Sequence, residues 1–135
     1  MRYKPSIDGA LGKILERYSA RCTDDGTKAV YEQLTAFVLR PGKRFRPLLT
    51  ILSFHGYSDK EPNSKIFDAA AAMELLHAFM LIHDDIVDRS DTRRGEPSLH
   101  KALGDDVALI VGDLAYTIAL QAIADLDAEP EITCR

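Results

Sequence analysis

An all-α fold is what this sequence predicts, and three observations carry that expectation. Apolar residues recur at three- and four-residue spacing through most of the chain. No run alternates apolar and polar residues with β-branched enrichment, as a half-buried strand would. The stretch 65–88 is long, alanine-rich and apolar or small on nearly every face, which marks a helix surrounded by others.

The elements follow in order. Ile7, Leu11, Ile14, Leu15 and Tyr18 place a helix over 6–21. Val30, Leu34, Phe37 and Val38 repeat the pattern over 27–39, with "TDDGT" as the break between the two. Pro41-Gly42 ends the second helix, and "KRFRPLLTILSFHGY" starts a third with Pro47 in a first turn, where its missing N–H is not needed. "SDKEPNS" is a loop with Asn63 or Ser64 as N-cap of the long helix 65–88. Residues 89–100 read as irregular, because Gly95 and Pro97 break helix and Ser90 and Asp91 favour turns. A last helix runs from Gly104 or Asp105 to about Asp125.

A chain of 135 residues and 15.0 kDa fits one domain with a real core. Its formal charge of -4 argues against nucleic acid or an anionic membrane as a partner, so only a local basic patch binds anions. Cys22 and Cys134 lie far apart without metal or redox spacing. Their pairing stays open, with a reduced, cytoplasmic compartment as the simpler reading. The N-terminus lacks the pattern of a signal peptide, and "VALIVGDLAYTIALQAIA", with Asp113 in its middle, reads as a buried helix rather than a membrane span.

The few polar residues of 65–88 are costly to bury and therefore informative. Asp84 and Asp88, four apart, share a helix face with Cβ atoms about 5–6 Å apart. Two such carboxylates repel unless a cation lies between them, and oxygen-only ligation suits a hard ion such as Mg²⁺. Asp85 points about 100° away and is the weaker ligand; it can bond a basic side chain instead. His77 lies about 10.5 Å before Asp84 on the same stripe, with Leu81 as an apolar strip between them.

Arg93 and Arg94 are adjacent in the loop that follows and can face different ligands, each guanidinium suited to bidentate phosphate binding. Lys43, Arg44 and Arg46 form a second basic cluster at a helix start, where unpaired N–H groups also favour an anion. Read singly, each signal has an ordinary explanation: a solvated aspartate pair, a core histidine, a basic surface patch. Their order and spacing together favour two diphosphates, one held through Mg²⁺ and one held directly.

In "GKRFRPLL" (42–49), "ELLHAFMLIHDDIVDRSDTRRGEPSLH" (74–100) and "GDDVALIVGDLAYTIAL" (104–120), the chain resembles the trans-isoprenyl diphosphate synthases, or polyprenyl synthetases. The resemblance implies the N-terminal portion of an isoprenoid-synthase-type helical bundle, with residues 1–135 as part of one domain. It implies a prenyltransferase that condenses isopentenyl diphosphate with an allylic diphosphate to a short product such as farnesyl or geranylgeranyl diphosphate. Asp84 and Asp88 would hold the Mg²⁺ that grips the allylic diphosphate, with Asp85 in support and Arg93 on the same diphosphate. Lys43, Arg46, His77 and Arg94 would hold isopentenyl diphosphate, while the pattern gives Arg44 no firm contact. Phe79, five positions before Asp84, would form the floor that limits product length, or simply belong to the core.

The family's second aspartate-rich motif has no counterpart in this sequence, and "GDD" at 104–106 lacks the required spacing. These residues alone are therefore expected not to elongate a prenyl chain, and a homodimer or a companion C-terminal fragment is expected to cover an exposed apolar face. Two other readings compete. A non-catalytic partner subunit of a synthase would keep the fold without the chemistry. A terpene cyclase-like enzyme would ionise a diphosphate at aspartates but has no use for Lys43, Arg46 and Arg94.

Overall fold

The computed structural model describes residues 2–126. Among them the order is α1 (Lys4–Ser19), α2 (Asp25–Val38), α3 (Phe45–Tyr57), α4 (Ser64–Val87), β1 (Thr92–Arg93), β2 (Glu96–Pro97), α5 (Leu99–Leu103) and α6 (Asp105–Ala124). The all-α expectation holds. Cys134 lies outside the described residues, and Cys22 is a free, half-buried thiol.

Helix α4 is the central element. It packs most extensively against α6, then α3 and α1, with α5 and α2 touching it less. Small residues let helices approach closely: Ala70, Ala71, Ala72 and Ala78 of α4 and Ala108, Gly112, Ala115 and Ala119 of α6 are buried against their neighbours. Leu75, Ile82, Val111, Leu34, Ile51 and the α1 residues Ile7, Leu11, Ile14 and Leu15 complete the core. Each large side chain buried there contributes about 1.5–3 kcal/mol. By length and composition α4 and α6 would also cross a membrane; here they pack against each other, with 39% of the most apolar 18 residues of each buried, so α6 is buried on one face rather than all round.

Two local details differ from the sequence expectation, and one alternative left open there is resolved. The break at "TDDGT" is shorter than expected, because Asp24 caps α2: its carboxylate accepts from the Thr27 N–H at 2.7 Å, so Asp25 and Gly26 already lie inside the helix. Asn63, rather than Ser64, caps α4, accepting from the Ile66 N–H at 3.2 Å. The segment 89–100 is ordered rather than irregular. Thr92–Arg93 and Glu96–Pro97 pair antiparallel as a minimal hairpin, and Leu99 begins the short α5.

That hairpin is tied down from below. Ser98, fully buried, donates its hydroxyl to the Ser90 carbonyl at 2.6 Å, and its N–H to the Asp91 carbonyl at 3.1 Å. His100 Nδ1 lies 3.1 Å from the same hydroxyl oxygen. Since the single Ser98 proton is already committed, His100 carries its proton on Nδ1. Neither residue stood out in the sequence; both fix the loop that carries Arg93 and Arg94.

Candidate active site

The C-terminal end of α4, the hairpin after it and the loop before α3 meet in one region. Its charged side chains divide into two sets. One set neutralises itself. Arg93 forks onto Asp85, with Nε at 2.7 Å from Oδ2 and Nη2 at 2.5 Å from Oδ1. Arg89 reaches Asp105 at 2.6 Å, and Lys101 reaches Asp91 at 2.8 Å. Arg44 is 3% exposed and is bonded to Asp8 and Glu74, each at 2.8 Å. The other set makes no ion pair. Among the described residues no carboxylate pairs with Lys43, Arg46 or Arg94, and no basic side chain pairs with Asp84 or Asp88.

The unpaired cations converge. Lys43, Arg46, His77 and Arg94 line one cleft of about 90 Å³, whose remaining walls are Arg44, Phe45 and Glu74. All four residues assigned to isopentenyl diphosphate from the sequence are thus brought together. Arg46 Nη1 lies 3.1 Å from His77 Nε2. Arginine only donates, so Nε2 accepts and the His77 proton sits on Nδ1, a buried nitrogen with no partner. Burial lowers the His77 pKa, and Arg46 lowers it further against the opposing pull of Glu74. The ring is therefore neutral at pH 7.

Gly42 explains how Arg94 reaches this cleft. A Cβ on Gly42 would lie 2.9 Å from Arg94 Nη1 and 3.4 Å from Arg44 Nη1. An alanine there would crowd the Arg94 guanidinium, the movable end of its side chain, and leave Arg44 in ordinary contact. Arg44, Arg89 and Arg94 adopt left-handed backbone with φ of 52°, 53° and 55°. Such conformations cost a non-glycine residue about 1 kcal/mol or more and persist where surrounding contacts hold them.

The carboxylates also separate as the helix geometry requires. Asp84 and Asp88 are exposed, whereas Asp85 is 1% exposed and faces inward to Arg93. Asp85 thus bonds a basic side chain, the alternative open to it from its position on α4, and its carboxylate is not presented with the other two. The Asp85 hydrogen bonds, and then the negative charges of Asp84 and Asp88, raise the Arg93 pKa against its burial. No closed cluster of three or more metal-ligating side chains occurs among the described residues. Two free carboxylates at i and i+4 instead fit a hard cation that keeps water and phosphate oxygens in its other positions.

Phe79 stands apart from both sets. Its half-buried ring packs on His83 at 4.5 Å and on Tyr116 of α6 at 5.1 Å between centroids. Helical geometry puts it about 140° from Asp84, away from the His77–Asp84 stripe. Any floor it forms is shared with Tyr116, which sequence spacing did not reveal.

Comparisons with known proteins place the sequence and the fold. Residues 27–134 match the family described as Polyprenyl synthetase. A short chain isoprenyl diphosphate synthase of Methanocaldococcus jannaschii is 38% identical over 100 residues, covering 74% of this chain and 30% of the relative. A geranylgeranyl pyrophosphate synthase of Geoglobus acetivorans is 36% identical over 118 residues, covering 87% of this chain and 36% of the relative. The chain therefore spans about a third of the length of these curated relatives. A crystal structure of geranylgeranyl pyrophosphate synthase from Corynebacterium glutamicum, complexed with isoprenyl diphosphate and magnesium, superposes with a TM-score of 0.84 at 29% identity. That match covers 98% of this chain and 43% of the other. By sequence and by fold, this chain belongs to the polyprenyl synthetase family.

Proposed function

We propose that this chain supplies the two diphosphate-binding stations of a prenyltransferase that joins isopentenyl diphosphate to an allylic diphosphate. The observation that carries the reading is the sorting of charge. Lys43, Arg46 and Arg94 around His77, and the pair Asp84 and Asp88, have no ion-pair partner among the described residues, whereas Arg44, Arg89, Arg93 and Lys101 beside them are each bonded to a carboxylate.

Lys43, Arg46, Arg94 and His77 hold the isopentenyl diphosphate head group directly. A diphosphate entering the cleft gives Arg46 a stronger acceptor than the His77 ring, so the Arg46–His77 bond is the one exchanged. Asp84 and Asp88 would hold Mg²⁺, which when bound supplies charge neutralisation to the allylic diphosphate as it leaves. Arg93, anchored by Asp85 through Nε and Nη2, keeps Nη1 for the same diphosphate. The double bond of isopentenyl diphosphate attacks the allylic carbon from which the diphosphate departs, forming the new carbon–carbon bond. Loss of a proton to the departing diphosphate regenerates an allylic product. The protein contributes orientation, charge stabilisation and exclusion of water. Product length is short, with Phe79 and Tyr116 as the bulk that limits it.

Apolar side chains left open support an assembly. Phe45, Leu49 and Leu52 on α3 are 59–62% exposed, and Ile110 and Leu120 on α6 are 55% and 49% exposed. A second copy, or a companion segment carrying the second aspartate-rich motif, covers these faces, and the setting is a reduced cytoplasm. A second reading is a non-catalytic partner subunit, which keeps the fold without the chemistry. A radiolabelled isopentenyl diphosphate elongation assay separates the two. The full open reading frame is expected to elongate a short allylic primer in Mg²⁺, and the 135-residue chain alone is not. Inactivity of the full product with every short primer defeats the enzyme reading.

A further inference from the structure

Arg44 sits at the centre of the basic cleft without being available to a ligand. Its Nε donates to Asp8 of α1 at 2.8 Å, its Nη1 to Glu74 of α4 at 2.8 Å, and its Nη2 to the Arg40 carbonyl at 3.2 Å. All three guanidinium nitrogens are used, and the side chain is 2% exposed. The residue also caps α3 in left-handed backbone, with Lys43 just before it and Arg46 two positions after. Holding this guanidinium therefore fixes where both cations point. Glu74 lies one helical turn before His77 on the same face of α4. The Asp8–Arg44–Glu74 bridge thus ties three members of the cleft to the rigid body of the bundle.

Asp8 is the unexpected member. It belongs to α1, far from the site in sequence, and its side chain is 37% exposed. A carboxylate there adds nothing to a diphosphate site by its charge; through space it opposes one. Resting on the function proposed above, we propose that Asp8 and Glu74 act through Arg44 as positioning residues for the isopentenyl diphosphate cleft, which makes α1 part of the working site.

Pre-organisation and plain electrostatics predict opposite signs, and that makes the inference testable. Removing the Asp8 charge should tighten diphosphate binding if only Coulomb attraction matters. It should weaken binding if Arg44 must be held. The experiment is calorimetric titration of the full chain with isopentenyl diphosphate in a chelator, beside dimethylallyl diphosphate in Mg²⁺. For Asp8→Ala the expected result is a loss of about ten-fold for isopentenyl diphosphate, typical of removing a residue that orients a ligating one. The Mg²⁺-dependent ligand should bind as before. Asp8→Asn keeps an acceptor for Arg44 Nε and should restore most of the affinity.

Unchanged or tighter binding in Asp8→Ala overturns the proposal. So does an equal loss for both ligands, which marks a general loss of structure, or an Asp8→Asn variant as weak as Asp8→Ala. If the unaltered chain binds no isopentenyl diphosphate, the functional reading itself fails and this inference falls with it.

Discussion

Arg93 grips the buried carboxylate of Asp85 with two nitrogens from across the turn that follows α4, so the middle aspartate of the motif is an anchor for the loop. Breaking one side of this pair leaves the other charge uncompensated in a region where Asp85 is 1% exposed. Arg93→Met is expected to cost about 3 kcal/mol in folding stability. Adding Asp85→Leu should recover much of that, since an apolar pair replaces a desolvated ionic one. Chemical denaturation of the two variants checks this; equal instability of single and double variants would contradict it.

Gly42 and Gly112 face opposite consequences from the same substitution. A Cβ on Gly112 would lie 2.5 Å from His83 Cδ2 and Nε2, and that ring is held against Phe79 at 4.5 Å, so it cannot swing freely. Gly112→Ala is expected to destabilise by about 1–3 kcal/mol through overpacking of the α4–α6 contact, despite the better helix propensity of alanine. At Gly42 the obstructed atoms are the far end of Arg94. Gly42→Ala should leave stability within about 0.5 kcal/mol but push Arg94 out of the cleft, weakening diphosphate binding. Thermal unfolding and calorimetry distinguish the two; a stability loss at Gly42 with full binding would refute the placement of Arg94.

His77 gives the site an acid sensitivity with a definite sign. Burial, and then the Arg46 charge, hold its pKa below the ordinary 6.5, so the folded state favours the neutral ring. Its contribution to stability is therefore present above pH 6.5 and is lost as pH falls through the folded value. Relative to His77→Gln, the unaltered protein should lose melting temperature progressively on acidification from neutral pH. Parallel profiles for the two proteins would show that the ring is not held in this way.

Tyr18 reports on the far end of the bundle. Burial, and then its 2.7 Å hydrogen bond to Asp125, push its pKa from 10.0 up to about 12. The neutral phenol is favoured in the folded state, so its stabilisation is present below pH 10.0 and lost as pH rises through about 12. Burial also raises the Tyr31 pKa, so an ultraviolet tyrosinate titration should show late-ionising tyrosines, of which only Tyr18 shifts to lower pH in Asp125→Ala. An unchanged titration would place Tyr18 away from the end of α6.

Much of this architecture was legible because helical periodicity and caps are local. The long α4, the exposed pair Asp84 and Asp88, and the cations Lys43, Arg46 and Arg94 could all be placed from spacing and motif. Pairings that cross the chain could not. Nothing local marks Asp8 as the partner of Arg44, thirty-six positions away. The same limit hid the Ser98–Ser90 tie, and a two-residue hairpin is too short to show alternation. The contact of Phe79 with Tyr116 was hidden likewise, because Tyr116 comes from another helix.

The central claim is that isopentenyl diphosphate is bound by basic side chains without a metal, whereas the allylic diphosphate needs a divalent ion beside Arg93. Calorimetric titration of the chain with isopentenyl diphosphate, with and without a chelator, tests it most directly. The account predicts the same affinity in both, abolished by joint Lys43→Met and Arg46→Met substitution. Binding that requires Mg²⁺, or that survives the double substitution, would contradict it.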